Sequence, residues 1–472
     1  MGFLVLLEGF FMLAGYLFSL LYCRESCNAL LISGFITASA GAILLFVTRG
    51  NINKHIGKRE GYIIVSLTWV IVSLFGTLPF LISGAIPEFT DAFFETMSGF
   101  TTTGASILTD VESLPKGLLF WRSMTHWVGG MGIIVLTIAI LPMLGIGGMQ
   151  LYAAEMPGPT KDKLHPRITQ TAKRLWGIYL ILTIAETILL VSGGMNLFDA
   201  LCHTFGTLAT GGFSTQNTSI AGYSPFIQYV IIVFMILAGT SFTLHYFALH
   251  GQLKKIWRNE EFRYFIYLIF FSGLIITLSL TILSVEPIEK AIRDSLFQVV
   301  SIITTTGYIT ANYMLWPGVL WFIIFMLMFV GGMAGSTGGG IKVVRQLLLF
   351  KNSTLELKRL IHPNAIIPVR LSGKVVSGDI IYKIMAFFLI YMIIFVFGTL
   401  FMSILGLDFE SAIGSTVATL GNIGPGIGMV GPGDNYAEIP IIGKWFLSFL
   451  MLLGRLELFT ILILFSKAFW KK

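Results

Sequence analysis

Ten stretches of this chain, near residues 3–22, 29–48, 62–84, 118–145, 173–195, 224–250, 264–284, 316–350, 380–406 and 441–469, are apolar almost throughout, and nothing constrains its fold more. A helix rises 1.5 Å per residue, so about 20 residues cross the ~30 Å hydrocarbon core of a bilayer. Within that core the backbone has to satisfy its own polar groups, which runs of this length do as helices. Composition agrees, with 55% of the 472 residues hydrophobic and 12% charged. The chain is therefore expected to be an all-α polytopic membrane protein. Residues 1–22 lack the basic start and cleavage site of a signal peptide and read as a retained span. Cys23, Cys27 and Cys202 make neither a disulfide framework nor a paired metal motif.

Basic residues orient the spans. Of 31 Lys and Arg, 24 fall on one side: among them Arg49, Lys54, Lys58, Arg59, Lys161, Lys163, Arg167, Lys254, Lys255, Lys351, Lys358, Arg370 and Lys472. That side is expected to be cytoplasmic and to hold both termini. The net charge of +7 has its source there and implies no nucleic acid. The opposite side has few cations, Arg24, Lys116, Arg122, Lys290, Arg293 and Lys444, and many acids, including Glu88, Asp91, Asp110, Glu112, Asp199, Glu286, Asp408 and Glu438. Such a surface concentrates cations.

The last eight spans form four pairs, and each pair encloses a short segment ending in glycine. These are Asp91–Gly104, Asp199–Gly212, Asp294–Gly307 and Ser411–Gly424, with an acid thirteen residues before the glycine in the first three. Asp91 is placed to cap the first short helix, and Ser411 takes the cap position in the fourth. A dozen helical residues reach roughly 17 Å, about half the membrane core. The helix would then direct its partial negative charge inward. The glycines lie 108, 95 and 117 residues apart, which defines repeats over 61–150, 173–252, 263–352 and 378–472, preceded by a two-helix addition at 1–50. A cation gives up its water only where oxygens replace it, and backbone carbonyls from several loops can do so. Packed re-entrant turns would account for one copy, but packing alone has no reason to repeat four times.

The turns Thr102-Thr103-Gly104, Thr210-Gly211-Gly212, Thr305-Thr306-Gly307 and Asn422-Ile423-Gly424 resemble the filter segments of the Trk/Ktr/HKT potassium transporter superfamily, and most nearly those of TrkH-type members. The resemblance spans essentially the whole chain. It implies four helix–pore helix–helix units around one central pore, in a homodimer in the bacterial inner membrane, with potassium ions held by those twelve residues. It also implies a cytoplasmic, nucleotide-binding, TrkA-like regulatory subunit. The chain has no Gly-x-Gly-x-x-Gly dinucleotide fingerprint set between a strand and a helix, so no nucleotide site is expected in it. Glycine in all four turns is what the family associates with potassium selectivity, and serine in the first with sodium passage.

The second helix of the third repeat is interrupted by Gly331, Gly332, Met333, Ala334, Gly335, Ser336, Thr337, Gly338, Gly339 and Gly340, followed by Lys342. No helix stays stable through such a run. It reads as a flexible plug, similar to the family's intramembrane gating loop, or else as a close-packing glycine face. Arg455 lies inside the last span, with Glu457 two residues on and so on a different face. The resemblance points Arg455 at the pore, and a structural role beside the loop is its rival. Lys342 interacts with Glu457 or ends the broken helix. Glu186 reads as a buried carboxyl or a cap, His126, His203 and His245 as satisfied core residues, and Gly129-Gly130-Met131-Gly132 as a close helix crossing. No nucleophile–base arrangement is visible, so an enzyme is not expected. A transporter coupling potassium to protons or sodium is the alternative, with Glu186 or Glu457 as its titratable group.

Overall fold

The structure, a computed structural model, describes residues 1–22, 27–48, 58–135, 168–283 and 287–471. Cys23, Arg24, Arg49, Lys54, Lys161, Lys163, Arg167, Glu286 and Lys472, with residues 136–145 of the fourth expected span, lie outside them. Among the described residues, regular structure is helical apart from one antiparallel hairpin, Arg370–Leu371 with Lys374–Val375.

Helices α1 (Gly2–Tyr22) and α2 (Cys27–Thr48) open the chain and cross closely. A Cβ on Gly9 would stand 2.5 Å from the Ala38 nitrogen, the close backbone approach that small residues allow in lipid. The first unit follows as α3 (Lys58–Gly76), the short α4 (Phe89–Phe100) and α5 (Lys116–Val135). The second is α6 (Ile168–Ser192), the short α7 (Leu197–Ala209), α8 (Pro225–Gly239) and α9 (Phe242–Leu249). The third comprises α10 (Glu260–Ile282), the short α11 (Ile288–Ile303), α12 (Gly318–Leu327) and α13 (Val343–Ile361). The fourth comprises α14 (Gly378–Ile404), the short α15 (Phe409–Leu420) and α16 (Ile441–Arg455).

Burial divides the helices into two kinds. The long ones expose large apolar side chains such as Ile184, Ile188, Phe270, Ile275, Ile393 and Phe397, which is stable where the solvent is lipid. The short ones are buried along most of their length: Phe94, Phe100, Leu208, Val299, Ile303, Val417 and Leu420 belong to the core. Among the described residues, six helices are long and apolar enough to cross a membrane, or up to eight if each bent pair counts as one span.

Two expected spans are not continuous. The stretch 224–250 bends by 105° between Gly239 and Phe242, and the stretch 441–469 bends by 110° after Arg455. At the second bend Glu457 and Leu458 take φ of +54° and +56°, a left-handed conformation that ends a helix. The break expected in 316–350 does occur, between Leu327 and Val343.

The caps also differ from expectation. Glu88, not Asp91, occupies the N-cap of α4, and Asp91 lies in the first turn, accepting a hydrogen bond from Lys444 Nζ at 2.6 Å. Asp408, not Ser411, caps α15 and accepts from the Ser411 amide at 3.2 Å. Counting back from the glycine assumes helices of equal length, whereas α4, α7, α11 and α15 have 12, 13, 16 and 12 residues.

Candidate functional site

All four short helices end in the same way. The amide one residue before each glycine donates to the carbonyl five residues upstream: Thr103 to Ser98 at 2.9 Å, Gly211 to Gly206 at 2.8 Å, Thr306 to Ser301 at 2.8 Å and Ile423 to Ala418 at 2.9 Å. That closure needs a left-handed residue in between. Thr102, Thr210, Thr305 and Asn422 supply it, with φ of 52°, 55°, 59° and 53°. Each such threonine costs about 1–2 kcal/mol, so the turns are held by their surroundings. The glycines then take φ of 79°, 76°, 80° and 96°.

The four turns also touch in a closed order. A Cβ on Gly104 would collide with the Gly211 carbonyl oxygen, one on Gly212 with that of Thr306, and one on Gly307 with that of Ile423. A Cβ on Gly424 would stand 2.7 Å from the Thr103 carbonyl oxygen, which closes the ring. Each glycine lacks a side chain because the neighbouring turn's carbonyl occupies the space. The twelve residues singled out from the sequence are thus brought together.

Bracing alternates around the ring. Hydroxyl pairs tie the first and third turns internally, Thr101 to Thr103 and Thr304 to Thr306, both at 2.8 Å. In the fourth turn Asn422 replaces threonine, and its Nδ2 donates to Thr103 Oγ1 at 2.9 Å and to the Met451 carbonyl at 2.8 Å. The residue that departs from the pattern thereby links the last turn to the first. Tyr436 adds a hydrogen bond to the Gly424 carbonyl at 2.7 Å.

The glycine-rich loop packs against the helix ends that form this ring. Thr337 Oγ1 donates to the Leu208 carbonyl at 2.9 Å, and the Gly339 amide donates to Thr305 Oγ1 at 2.6 Å. A Cβ on Gly338 would stand 3.0 Å from the Thr304 carbonyl oxygen, and one on Gly339 2.6 Å from that of Gly421. The loop is folded, not slack: Gly331 donates to Ile341 at 2.9 Å, Met333 to Gly239 at 2.9 Å, and Gly335 accepts from Phe242 at 3.0 Å. Ser336 Oγ donates to the Met333 carbonyl at 2.7 Å. Gly332 and Gly340 lie against neighbouring backbone or side-chain atoms, so the close-packing reading describes the loop's geometry.

Arg455 reaches the same place. Its guanidinium donates to the Thr337 carbonyl at 2.8 Å and to the Gly129 carbonyl at 3.1 Å, so it bridges the loop and α5. Glu457 points elsewhere and pairs with Arg345. Lys342 does not take Glu457 as a hydrogen-bond partner: its Nζ donates to Gly338, and its backbone starts α13.

Three residues anchoring this region escaped the sequence reading. Glu261, at the start of α10, accepts from the Ala334 amide at 2.7 Å. Glu95 and Arg122 form a buried ion pair at 2.6 Å, at 1% and 3% exposure. An acid within a buried half-length helix was the available signal, because such a charge requires a partner. The bland readings elsewhere hold: His126, His203 and His245 each bond a carbonyl at 2.7–2.8 Å. Gly129 and Gly130 lie against Phe100 and Ala209 at a close crossing. Glu186 is buried beside Thr207. Among the described residues, no group of three His, Cys, Asp or Glu could hold a metal ion.

The TrkH family model, described as a cation transport protein, matches residues 27–472. The chain belongs to the TrkH family. It is 44% identical over 477 residues to the Trk system potassium uptake protein TrkH of Escherichia coli K12, covering 100% of this chain and 98% of that relative. The Trk system potassium uptake protein TrkG of the same organism is 36% identical, with 100% and 97% covered. The crystal structure of the potassium transporter TrkH from Vibrio parahaemolyticus matches with a TM-score of 0.91 at 40% identity, covering 100% of this chain and 98% of that one. This TrkH-family chain is accordingly a multi-pass membrane transport protein and not an enzyme.

Proposed function

We propose that this chain conducts potassium ions into the cell through the ring of four turns, as the membrane subunit of a Trk-type uptake system. The single observation that carries this reading is the closed cycle of glycine-to-carbonyl contacts, Gly104 to Gly211, Gly212 to Thr306, Gly307 to Ile423 and Gly424 to Thr103. Four helix C-termini meet there and bring partial negative charge, and ring carbonyls can replace an ion's hydration shell. Thr102, Thr103, Gly104, Thr210, Gly211, Gly212, Thr305, Thr306, Gly307, Asn422, Ile423 and Gly424 line the filter in this reading.

The loop Gly331–Gly340 with Lys342 acts as the gate, and Arg455 latches it to α5. Glu457 assists through Arg345, at the start of α13. A positive charge this close to the ring also repels a cation leaving it. The asymmetry of Lys and Arg supports cytoplasmic termini in a bacterial inner membrane. Relatives named as Trk system potassium uptake proteins support a system with partners. In this reading the partner is the cytoplasmic, nucleotide-binding, TrkA-like subunit that the resemblance implies, and this chain is a homodimer.

Passive flux separates conduction from coupling. In liposomes holding the purified protein, rubidium and potassium are expected to move down their gradients at a rate that an imposed proton gradient leaves unchanged. Uphill accumulation driven by that proton gradient would overturn the reading in favour of a coupled transporter. Gly104→Ser is expected to admit sodium at least tenfold more readily relative to potassium, measured as the ratio of the two fluxes. An unchanged ratio would remove that glycine from ion selection.

A further inference from the structure

Arg122 and His126 stand one turn apart on α5 and so face the same way. Between them lies Phe213, the residue immediately after Gly212. The Arg122 guanidinium sits 3.5 Å from the centroid of its ring, and the His126 imidazole stacks at 4.0 Å with an interplanar angle of 27°. Backbone contacts run in parallel with this sandwich. The Phe213 amide donates to His126 Nε2 at 3.2 Å, and Arg122 Nη1 donates to the Ser214 carbonyl at 3.0 Å. Away from Phe213, His126 Nδ1 meets the Gly99 carbonyl at 2.7 Å and Arg122 Nε meets Glu95 Oε1 at 2.6 Å, both in α4. An amide only donates and a carbonyl only accepts, so this His126 is the neutral tautomer with its proton on Nδ1.

The second turn is the one that needs such support. Ala209 and Gly211 stand where the first and third turns have their paired threonine hydroxyls, so no such hydroxyl pair braces it and its one hydroxyl, Thr210 Oγ1, reaches only the adjacent Ala209 carbonyl at 2.6 Å. Gly211 instead abuts the imidazole directly: a Cβ there would stand 2.5 Å from His126 Cγ. Resting on the filter reading above, we propose that His126 and Arg122 are positioning residues that fix the second turn against the first, and through that spacing set discrimination between potassium and sodium.

The test uses full-length protein in liposomes and reads the sodium-to-potassium flux ratio separately from potassium flux. His126→Asn retains a donor for Gly99 but has nothing that reaches the Phe213 amide. It is expected to raise the ratio about fivefold, the worth of one hydrogen bond. His126→Gln places an amide oxygen near the position of Nε2 and is expected to recover most of the discrimination, a rescue that mere loss of packing would not give. Phe213→Leu, which removes the stacked ring, is expected to raise the ratio as well. The proposal is overturned if His126→Asn and Phe213→Leu both discriminate like the parent while Gly104→Ser does not. If Gly104→Ser also discriminates like the parent, the filter reading itself fails and takes the proposal with it. Should His126→Asn fail to purify as folded protein, Arg122→Lys decides by the same ratio. It keeps a charge for Glu95 but loses the fork that also reaches Ser214, and a parental ratio overturns the proposal.

Discussion

Gly212→Ala is expected to cut selective potassium uptake at least tenfold, whereas Gly84→Ala leaves it near the parental level. The two glycines have almost the same backbone, with φ of 76° and 72°, so the left-handed strain of about 1–2 kcal/mol is common to both. Their surroundings differ. A Cβ on Gly84 would meet nothing within 4 Å, while one on Gly212 would overlap the Thr306 carbonyl oxygen. That oxygen belongs to backbone already fixed by the Thr306-to-Ser301 hydrogen bond at 2.8 Å, so it cannot yield as a flexible side chain would. Either the third turn moves or the second does, and in both cases the ring opens. Gly307→Ala is expected to behave alike, and Gly424→Ala to be the mildest, since its Cβ would stand 2.7 Å from the neighbouring oxygen. Growth of an uptake-deficient strain on limiting potassium, corrected for protein in the membrane, measures the effect. Parental growth with Gly212→Ala would show that the ring tolerates a gap and that its geometry does not govern transport.

What could be read in the sequence was whatever leaves a compositional trace. The four glycine-terminated segments are visible because a half-length apolar helix ending in a glycine turn differs from a span. The loop at Gly331–Gly340 is visible because glycine runs exclude helix. The bend after Arg455 leaves no such trace. Leu456, Glu457 and Leu458 are good helix formers, yet Glu457 and Leu458 stand in left-handed backbone, where tertiary contacts such as Arg345 with Glu457 help to hold them. The pairing of Glu95 with Arg122 and the reach of His126 to Phe213 join residues 27 and 87 positions apart. No local pattern encodes either contact. Asn422 shows a subtler limit. As a letter it breaks the repeat, yet it adopts the same backbone as the three threonines and adds a link to Thr103.

Shortening the loop by removing Gly335–Gly340 is expected to raise potassium flux more than tenfold in liposomes that hold this chain without a cytoplasmic partner. In the present arrangement the loop is held from several directions: Ala334 by Glu261 at 2.7 Å, Thr337 by Leu208 at 2.9 Å and Arg455 at 2.8 Å, and Gly339 by Thr305 at 2.6 Å. Each such bond is worth about 1 kcal/mol net, so together they make spontaneous withdrawal rare. Moving a two-state gate from almost always shut to almost always open requires about 5.5 kcal/mol of differential binding, which is the task left to a partner. Deleting the loop removes the obstacle without that input. Arg455→Ala releases only the ties to Thr337 and Gly129 and withdraws one positive charge, so its rise is expected to be smaller and in the same direction. Because the same deletion removes the Gly339 bond to Thr305, the sodium-to-potassium ratio is recorded alongside. A gate lost from an intact ring raises flux at an unchanged ratio. Flux at or below the parental level in both variants would make Gly331–Gly340 a packing element that supports the third turn, and regulation would then have to act elsewhere on the path.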